Sequence, residues 1–418
     1  MFKFVHAADI HLDSPLRGLS AYEGAPVETL RGATRAAFRN LVDLAIREEA
    51  TFIVIAGDLY DGTWRDYQTG LFFVSEMARL RSAGIRVFLL YGNHDAESEI
   101  TKRLRLPDNV SVFPSRAAKT FTIDDLNVAL HGRSFQTPAT LENLVPTYPE
   151  PVAGRLNIGV LHTALEGNTE HAAYAPCSLP ELIAKGYQYW ALGHVHEHSI
   201  ANRDPWIVFP GNLQGRHARE TGPRGAMLVT ADETSILSAE RVLTDVLRWH
   251  QLVVDLSSAT TVDQAIDLVK DGLVRTVENE PDGRPLAIRI RLTGETAVHG
   301  ALFEEERELA ENVRAIAVGN AGEAAWIEKI QIETKPPAST QSAPSDALGE
   351  LEAMIAEAAS DPVILANLAG QLGTMMGRLP PELRAAELPE LTAIREGRIG
   401  DIARELSSSV ATWIAQAK

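Results

Sequence analysis

The segment Phe52-Ile-Val-Ile-Ala-Gly-Asp-Leu-Tyr-Asp61 constrains the fold more than any other stretch of the chain. A short unbroken apolar run bounded by glycine is the pattern of a strand buried on both faces. Asp58 directly after it falls at the strand's C-terminal end, where open α/β sheets place their ligands. The pattern recurs. Phe2–Ala7 leads to Asp9 and His11, Ile85–Tyr91 to Asn93 and His94, Leu156–Leu161 to His162, and Tyr189–Leu192 to His194 and His196.

Between the first three of these strands the apolar residues take helical spacing, over about Thr34–Glu49 and Tyr67–Ala83, the latter closed by Gly84. Strand–helix alternation of this kind predicts a layered α/β domain with parallel strands. Shorter strands are expected at Ser111–Phe113, Lys119–Ile123, Asn127–Gly132, Trp206–Phe209 and Gly225–Thr230, giving a more mixed sheet packed on the first.

At 418 residues the chain is expected to hold two or three domains. A fresh pattern starts near Trp249: strand Gln251–Leu256, helix Val262–Val277, strand Leu286–Thr293, helix Ala301–Val313 and strand Trp326–Glu333. The division is therefore 1–247, a first domain carrying the motifs; 248–335, a βαβαβ cap; 336–346, a Pro/Ser/Ala-rich linker; and 347–418, a helical region. Helices are expected at Asp346–Glu357, Pro362–Met376 and near Ile394–Ala417.

The net charge of −17 argues at first against a polyanionic substrate, but it is unevenly spread. Residues 1–220 carry −4 and residues 221–418 carry −13. Two divalent cations would bring the first part to about zero. No run of eighteen apolar residues is present, so no membrane span is expected. The single cysteine, Cys177, excludes an internal disulfide framework, and with no signal-peptide pattern at the N-terminus it points to a reducing cytoplasm.

The ligand candidates are Asp9, His11, Asp58, Asn93, His162, His194 and His196. Carboxylate and amide oxygens mixed with imidazole, and no thiolate, suit manganese, iron or zinc in a catalytic rather than a structural site. Two ions a few ångströms apart suit phosphoryl chemistry, and one carboxylate can bridge them. Taken singly, Asp-x-His or His-x-His is a weak signal. In this order, each after an apolar strand, they form a strong one. His6 and His131 lie in or beside strands and read as satisfied core histidines. Arg216, His217 and Arg219 suit phosphate contacts but read more simply as a solvated loop.

Asp9-x-His11, Gly57-Asp58-x-x-Asp61, Gly92-Asn93-His94-Asp95, His162 and Gly193-His194-x-His196 resemble the five motifs of the calcineurin-like metallophosphoesterases. Within that superfamily the chain resembles the YhaO-type DNA repair exonucleases, relatives of the SbcD nuclease subunit. The segments carrying this likeness are His6–Leu16, Tyr174–Leu179 and Phe209–Gly222. The resemblance implies a sandwich of mixed sheets flanked by helices, with a small α+β cap domain and a helical tail. It implies two divalent ions, manganese foremost. Asp9, His11, Asp58 and His196 would hold the first ion, and Asp58, Asn93, His162 and His194 the second. A hydroxide between them would attack phosphorus, and His94 would face the phosphate, with Asp95 orienting its imidazole. It also implies a DNA substrate and a coiled-coil ATPase partner of the SbcC/SMC kind, with the C-terminal helices as the docking element. A homodimer is compatible with it. A small-molecule phosphatase or cyclic-nucleotide phosphodiesterase on the same dinuclear site is the alternative.

Overall fold

The protein is described by a computed structural model covering residues 1–14, 27–61, 67–97, 104–165, 174–337, 357–378 and 389–400, with Met354 and Ala403. Two six-stranded sheets dominate its first compact unit, which comprises Met1–Gln251, Glu280–Arg289 and Glu323–Lys329. In the first sheet β1 (Phe2–Ala7), β2 (Phe52–Ala56), β3 (Arg86–Leu90) and β4 (Val110–Val112) run parallel. On the other side of β1, β11 (Gly225–Ala231) and β12 (Ile236–Leu243) add antiparallel strands, for the order β12-β11-β1-β2-β3-β4.

The second sheet has the order β5-β6-β7-β8-β10-β9. Its centre is parallel: β6 (Val128–Gly132), β7 (Leu156–His162), β8 (Tyr189–Gly193) and β10 (Trp206–Phe209). The edges β5 (Lys119–Ile123) and β9 (Ser199–Arg203) pair antiparallel. The fully buried strands β2, β6, β7 and β8 are the continuous apolar runs of the sequence, because each is covered on both faces.

One apolar cluster fills the space between the sheets, with Phe4, Phe52, Val54 and Phe88 from the first and Leu130, Ile158, Val160 and Tyr189 from the second. Phe4 and Phe52 stack at 4.8 Å, and Phe4 meets Tyr189 edge-on at 5.4 Å. Each such pair is worth roughly 0.5–1.5 kcal/mol beyond its buried area. The outer face of the first sheet packs on α1 (Val27–Arg47) and α2 (Tyr67–Ser82) through Phe38, Leu41, Phe73 and Met77. The outer face of the second is covered by a separate cluster around Trp190, Tyr187, Tyr148 and Leu182. The layered sandwich of mixed sheets expected from the sequence is the observed fold.

Several elements differ from expectation. Helix α1 starts at Val27 rather than near Thr34. The edge strands β9 and β12, of partly exposed and polar sequence, were not expected. Nor was the short helix α4 (Leu179–Ala184), which begins on a capping box between Ser178 and Glu181. A short α3 (Asn93–Glu97) opens on the Gly92-Asn93-His94-Asp95 motif itself.

Further along lie β13 (Arg248–Asp255), β14 (Leu286–Thr293) and β15 (Ala325–Ile332), in that order in a third sheet, with α5 (Val262–Glu278) between the first two. The single helix expected over Ala301–Val313 is two, α6 (His299–Glu304) and α7 (Glu306–Ala321), separated at Glu305. Beyond them α8 (Pro362–Arg378) forms where a helix was expected, followed by a short α9 (Pro389–Arg395). Most of the expected Asp346–Glu357 helix and the expected Ile394–Ala417 helix beyond Gly400 lies outside the described residues. No helix among the described residues is long and apolar enough to cross a membrane.

Candidate metal centre

The C-terminal ends of β1, β2, β3, β7 and β8 open at one rim, and all seven ligand candidates lie there: His162 ends β7, Asn93 opens α3, and the other five lie in the loops after β1, β2 and β8. These loops are held in backbone conformations that ordinary residues avoid. Asp9 (φ 49°), His11 (46°), Asp58 (53°) and His194 (99°) all sit at positive φ. Each non-glycine residue in that region costs on the order of 1–3 kcal/mol, and such residues persist only where their surroundings over-determine them. Here the loop after β1 runs along the loop after β2: Asp9 N–H donates to Gly57 O (3.0 Å), His11 N–H to Asp58 O (3.0 Å) and Leu12 N–H to Leu59 O (2.9 Å).

Two glycines let the loops close. A Cβ on Gly92 would lie 2.3 Å from Asp58 Oδ1, and one on Gly193 would lie 2.0 Å from Ala56 O. A side chain at Gly193 would push the rims of the two sheets apart, and one at Gly92 would displace the Asp58 carboxylate.

The acids are buried and gripped by main-chain amides. Both oxygens of Asp9 accept from His194 N–H, at 3.0 and 3.1 Å, and Asp58 Oδ1 accepts from His94 N–H at 3.0 Å. The remaining acceptor atoms point at one another. His162 Nδ1 lies 2.9 Å from Ala56 O, a carbonyl that can only accept, so this nitrogen carries the proton. In the neutral ring its Nε2 then presents a lone pair to Asn93 Oδ1 at 3.0 Å and Asp58 Oδ2 at 3.4 Å. His196 Nδ1 lies 2.7 Å from the carboxylate oxygen Glu220 Oε1 and donates to it, which turns Nε2 toward the site. That Nε2 lies 3.3 Å from His11 Nε2 and 3.9 Å from Asp9 Oδ1.

Lone pairs facing lone pairs in a buried site are repulsive unless positive charge sits between them. The residues therefore fit a cation. Three sets have donor atoms within 4.8 Å of one another: Asp9, His11 and His196; His11, Asp58 and His94; and Asp9, Asp58 and His162. Asp9, His11 and Asp58 each belong to two of them. The His194 ring stands outside these three sets, edge-on to His162 at 5.2 Å and beside Tyr174 at 5.6 Å.

Protonation follows the same geometry. Burial pushes the Asp9 carboxyl up and drives His11 down to about 3. Burial would also raise Asp58, but His162, His11 and His94 outweigh it and hold Asp58 well below the usual carboxylate range. In turn His162, although burial lowers it, is carried up to about 9 by Asp58 and Asp9. The acceptors thus attract a second proton onto His162, which is the place a divalent cation would take.

Two expectations are corrected. Asp95 was expected to orient His94. Its carboxylate instead accepts the backbone N–H groups of Leu59 (3.1 Å), Tyr60 (3.0 Å) and Gly92 (3.0 Å), and so ties the loops after β2 and β3 together. The carboxylate against His94 Nδ1 is Asp61 Oδ1, at 3.2 Å, placed there because the loop after β2 turns back over the site. Burial lowers His94, but the Asp61 hydrogen bond and the charges of Asp58 and Asp61 outweigh it and the net direction is upward.

Nor does Arg216 belong to a solvated loop. Its side chain is 13% exposed and approaches Ser14 Oγ (3.4 Å), Glu220 Oε1 (3.4 Å) and Asp61 Oδ1 (3.8 Å). Glu220 went unassigned in the sequence because its contact to His196 spans 24 residues and has no motif spacing. Its one signal was its place in the Phe209–Gly222 segment. His6 and His131 are satisfied as expected, His6 by Tyr189 Oη and Leu192 O, and His131 by Thr120 and Asn157.

Known families agree with this geometry. Residues 2–198 match the calcineurin-like phosphoesterase family, and residues 249–335 match the middle domain of the metallophosphoesterase YhaO. The chain is 32% identical over 334 residues to the metallophosphoesterase YhaO of Bacillus subtilis, covering 79% of this chain and 81% of that one. It is 25% identical to the DNA double-strand break repair protein Mre11 of Methanopyrus kandleri, over 68% of this chain and 66% of the relative. To the Mre11 of Archaeoglobus fulgidus it is 27% identical, over 52% of this chain and 51% of the relative. Fold and site thus define a metal-dependent phosphoesterase, whose superfamily works with a dinuclear metal centre. Within that superfamily the chain belongs to the YhaO-type metallophosphoesterases.

Proposed function

We propose that the protein is a two-metal DNA exonuclease of DNA repair, using manganese in the cytoplasm and working with a coiled-coil ATPase of the SbcC/SMC kind. The observation that carries the reading is Asp58, a buried carboxylate shared by two convergent donor sets at the mouth of the sandwich. Asp9, His11, Asp58 and His196 would hold one ion, and Asp58, Asn93, His162 and His194 the other. Two divalent ions, when bound, supply Lewis acidity at the phosphoryl oxygens and a nucleophile from water near neutral pH.

The chain's own groups do the rest. His94, with a side chain 38% exposed where those of His11 and His162 are fully buried, lies at the open edge of the donor set it shares with His11 and Asp58. Held by Asp61 through Nδ1, it presents Nε2 to an incoming phosphate and can give a proton to the leaving oxygen. The Mre11 relatives are DNA double-strand break repair proteins, which favours DNA over a small phosphate ester. The proposed division is 1–247 for the phosphoesterase domain, 248–335 for the cap and 347–418 for a docking tail beyond the linker.

The deciding experiment offers the purified protein linear duplex DNA, single strands and a chromogenic aryl phosphodiester, each with Mn²⁺. Release of nucleotides from DNA ends is expected. Turnover of the aryl diester or of cyclic nucleotides with DNA left intact would overturn the nuclease assignment and favour a small-molecule phosphodiesterase.

A further inference from the structure

Beyond His198, where the matched phosphoesterase region ends, the chain returns to the site through the loop 211–222. This loop brings Glu220 to His196. Glu220 is 6% exposed, and every oxygen it has is directed: Oε1 to His196 Nδ1 at 2.7 Å, Oε2 to Asn212 Nδ2 at 2.9 Å and to Arg216 N–H at 2.7 Å. A carboxylate on Nδ1 fixes the proton there, orients the ring and makes Nε2 the more basic donor.

The loop is in turn clamped by β13. Trp249 Nε1–H donates to Gly215 O (2.8 Å), Gly222 N–H donates to Trp249 O (3.2 Å), and Gln251 Nε2 donates to Ala218 O (2.8 Å). Trp249, Ala218, Leu247 and Ala33 form a small buried cluster around these bonds. The hydrogen bonds to Gly215 and Ala218 come from the side chains of Trp249 and Gln251, so they depend on residue identity and not only on strand pairing.

We propose that Glu220 is a positioning residue that sets the tautomer and aim of His196, and that Trp249 and Gln251 hold it there. One half of the metal centre then depends on a strand lying outside the phosphoesterase match. The inference rests on His196 being a ligand, as proposed above. It predicts that Glu220→Ala weakens one of two metal sites about 10–100-fold and leaves the other near its wild-type affinity. Glu220→Gln, whose amide oxygen still accepts from Nδ1–H, should fall between the two. Trp249→Phe, which keeps the ring packing and loses only the N–H donor, should move the same site in the same direction by less.

The test is a titration of the full-length metal-stripped protein with Mn²⁺ alone, followed by calorimetry and by electron paramagnetic resonance. The wild type should show two sites and an exchange-coupled signal, and Glu220→Ala should show a mononuclear signal at Mn²⁺ levels that give the coupled one in the wild type. Two wild-type affinities in Glu220→Ala would overturn the inference. Fewer than two sites in the wild type would instead remove the dinuclear reading beneath it. Should Glu220→Ala fail to fold, Glu220→Gln and Trp249→Phe carry the decision, and wild-type affinity in both overturns the proposal.

Discussion

Replacing His94 by serine separates its role from that of the metal ligands, and the size of the effect should depend on the leaving group. His94 stands 3.2 Å from Asp61 and more open to solvent than any buried ligand candidate, so its ring can touch a bound ester. A positioned general acid is worth about 100- to 10,000-fold in rate, equivalent to roughly 2.7–5.4 kcal/mol of barrier. That contribution is needed when the departing group is a sugar hydroxyl, a poor leaving group that must be protonated. It is nearly dispensable for a nitrophenolate, which leaves as the anion. His94→Ser should therefore lose DNA hydrolysis by about 100- to 10,000-fold while the aryl diester loses far less. Metal content, measured by elemental analysis, should stay at the wild-type value. Equal losses on both substrates would refute the leaving-group role. Loss of metal would show instead that His94 acts as a ligand with His11 and Asp58, to which its donor atom lies close enough.

Asp61→Asn should shift the alkaline limb of kcat to lower pH. His94 is held above its ordinary value, its protonated form is the active acid, and kcat is lost as pH rises through that pKa; without the Asp61 charge the loss comes earlier. An unmoved limb would detach Asp61 from the chemistry. Asp58→Asn should abolish both metal binding and turnover on every substrate, because it removes a buried carboxylate that two donor sets share; two-site binding in that variant would end the bridging role. Asp95→Ala leaves three backbone N–H groups without their buried acceptor. Breaking such a set should cost about 3–5 kcal/mol in urea unfolding of the metal-free protein, and a change under about 1 kcal/mol would contradict the tether.

Much of the site could be read from the sequence because the ligands follow directly on buried strands. Five apolar runs fixed where the strands end, and alternation with helices fixed that those ends share a rim. What escaped was whatever depends on side chains meeting across the fold. Asp61 and Asp95 lie three and two residues from ligand candidates, and both are carboxylates; nothing in their spacing shows which turns inward to His94 and which reaches back to amides. Glu220 and Arg216 arrive from a loop after β10, so their partners His196 and Asp61 are visible only once the two sheets are stacked. The edge strands β9 and β12 escaped for another reason. With one side open to solvent they carry polar residues, and their apolar alternation is too weak to mark them.

The strain in these loops and the support around them belong together. Asp9, His11, Asp58 and His194 take left-handed conformations that would relax in an isolated loop. Four of the seven candidate ligands have a second bond into the protein: Asp9 to His194 N–H, Asp58 to His94 N–H, His162 to Ala56 O and His196 to Glu220. The first three of these bonds stay within the sandwich, whereas the last depends on a loop fastened by Trp249 and Gln251. Donors fixed in this way lose little conformational freedom when a cation arrives, so more of the binding free energy is available to hold it. The phosphoesterase motifs are thus sufficient to aim three of the four ligands whose second bond can be traced, and the fourth draws on chain beyond them.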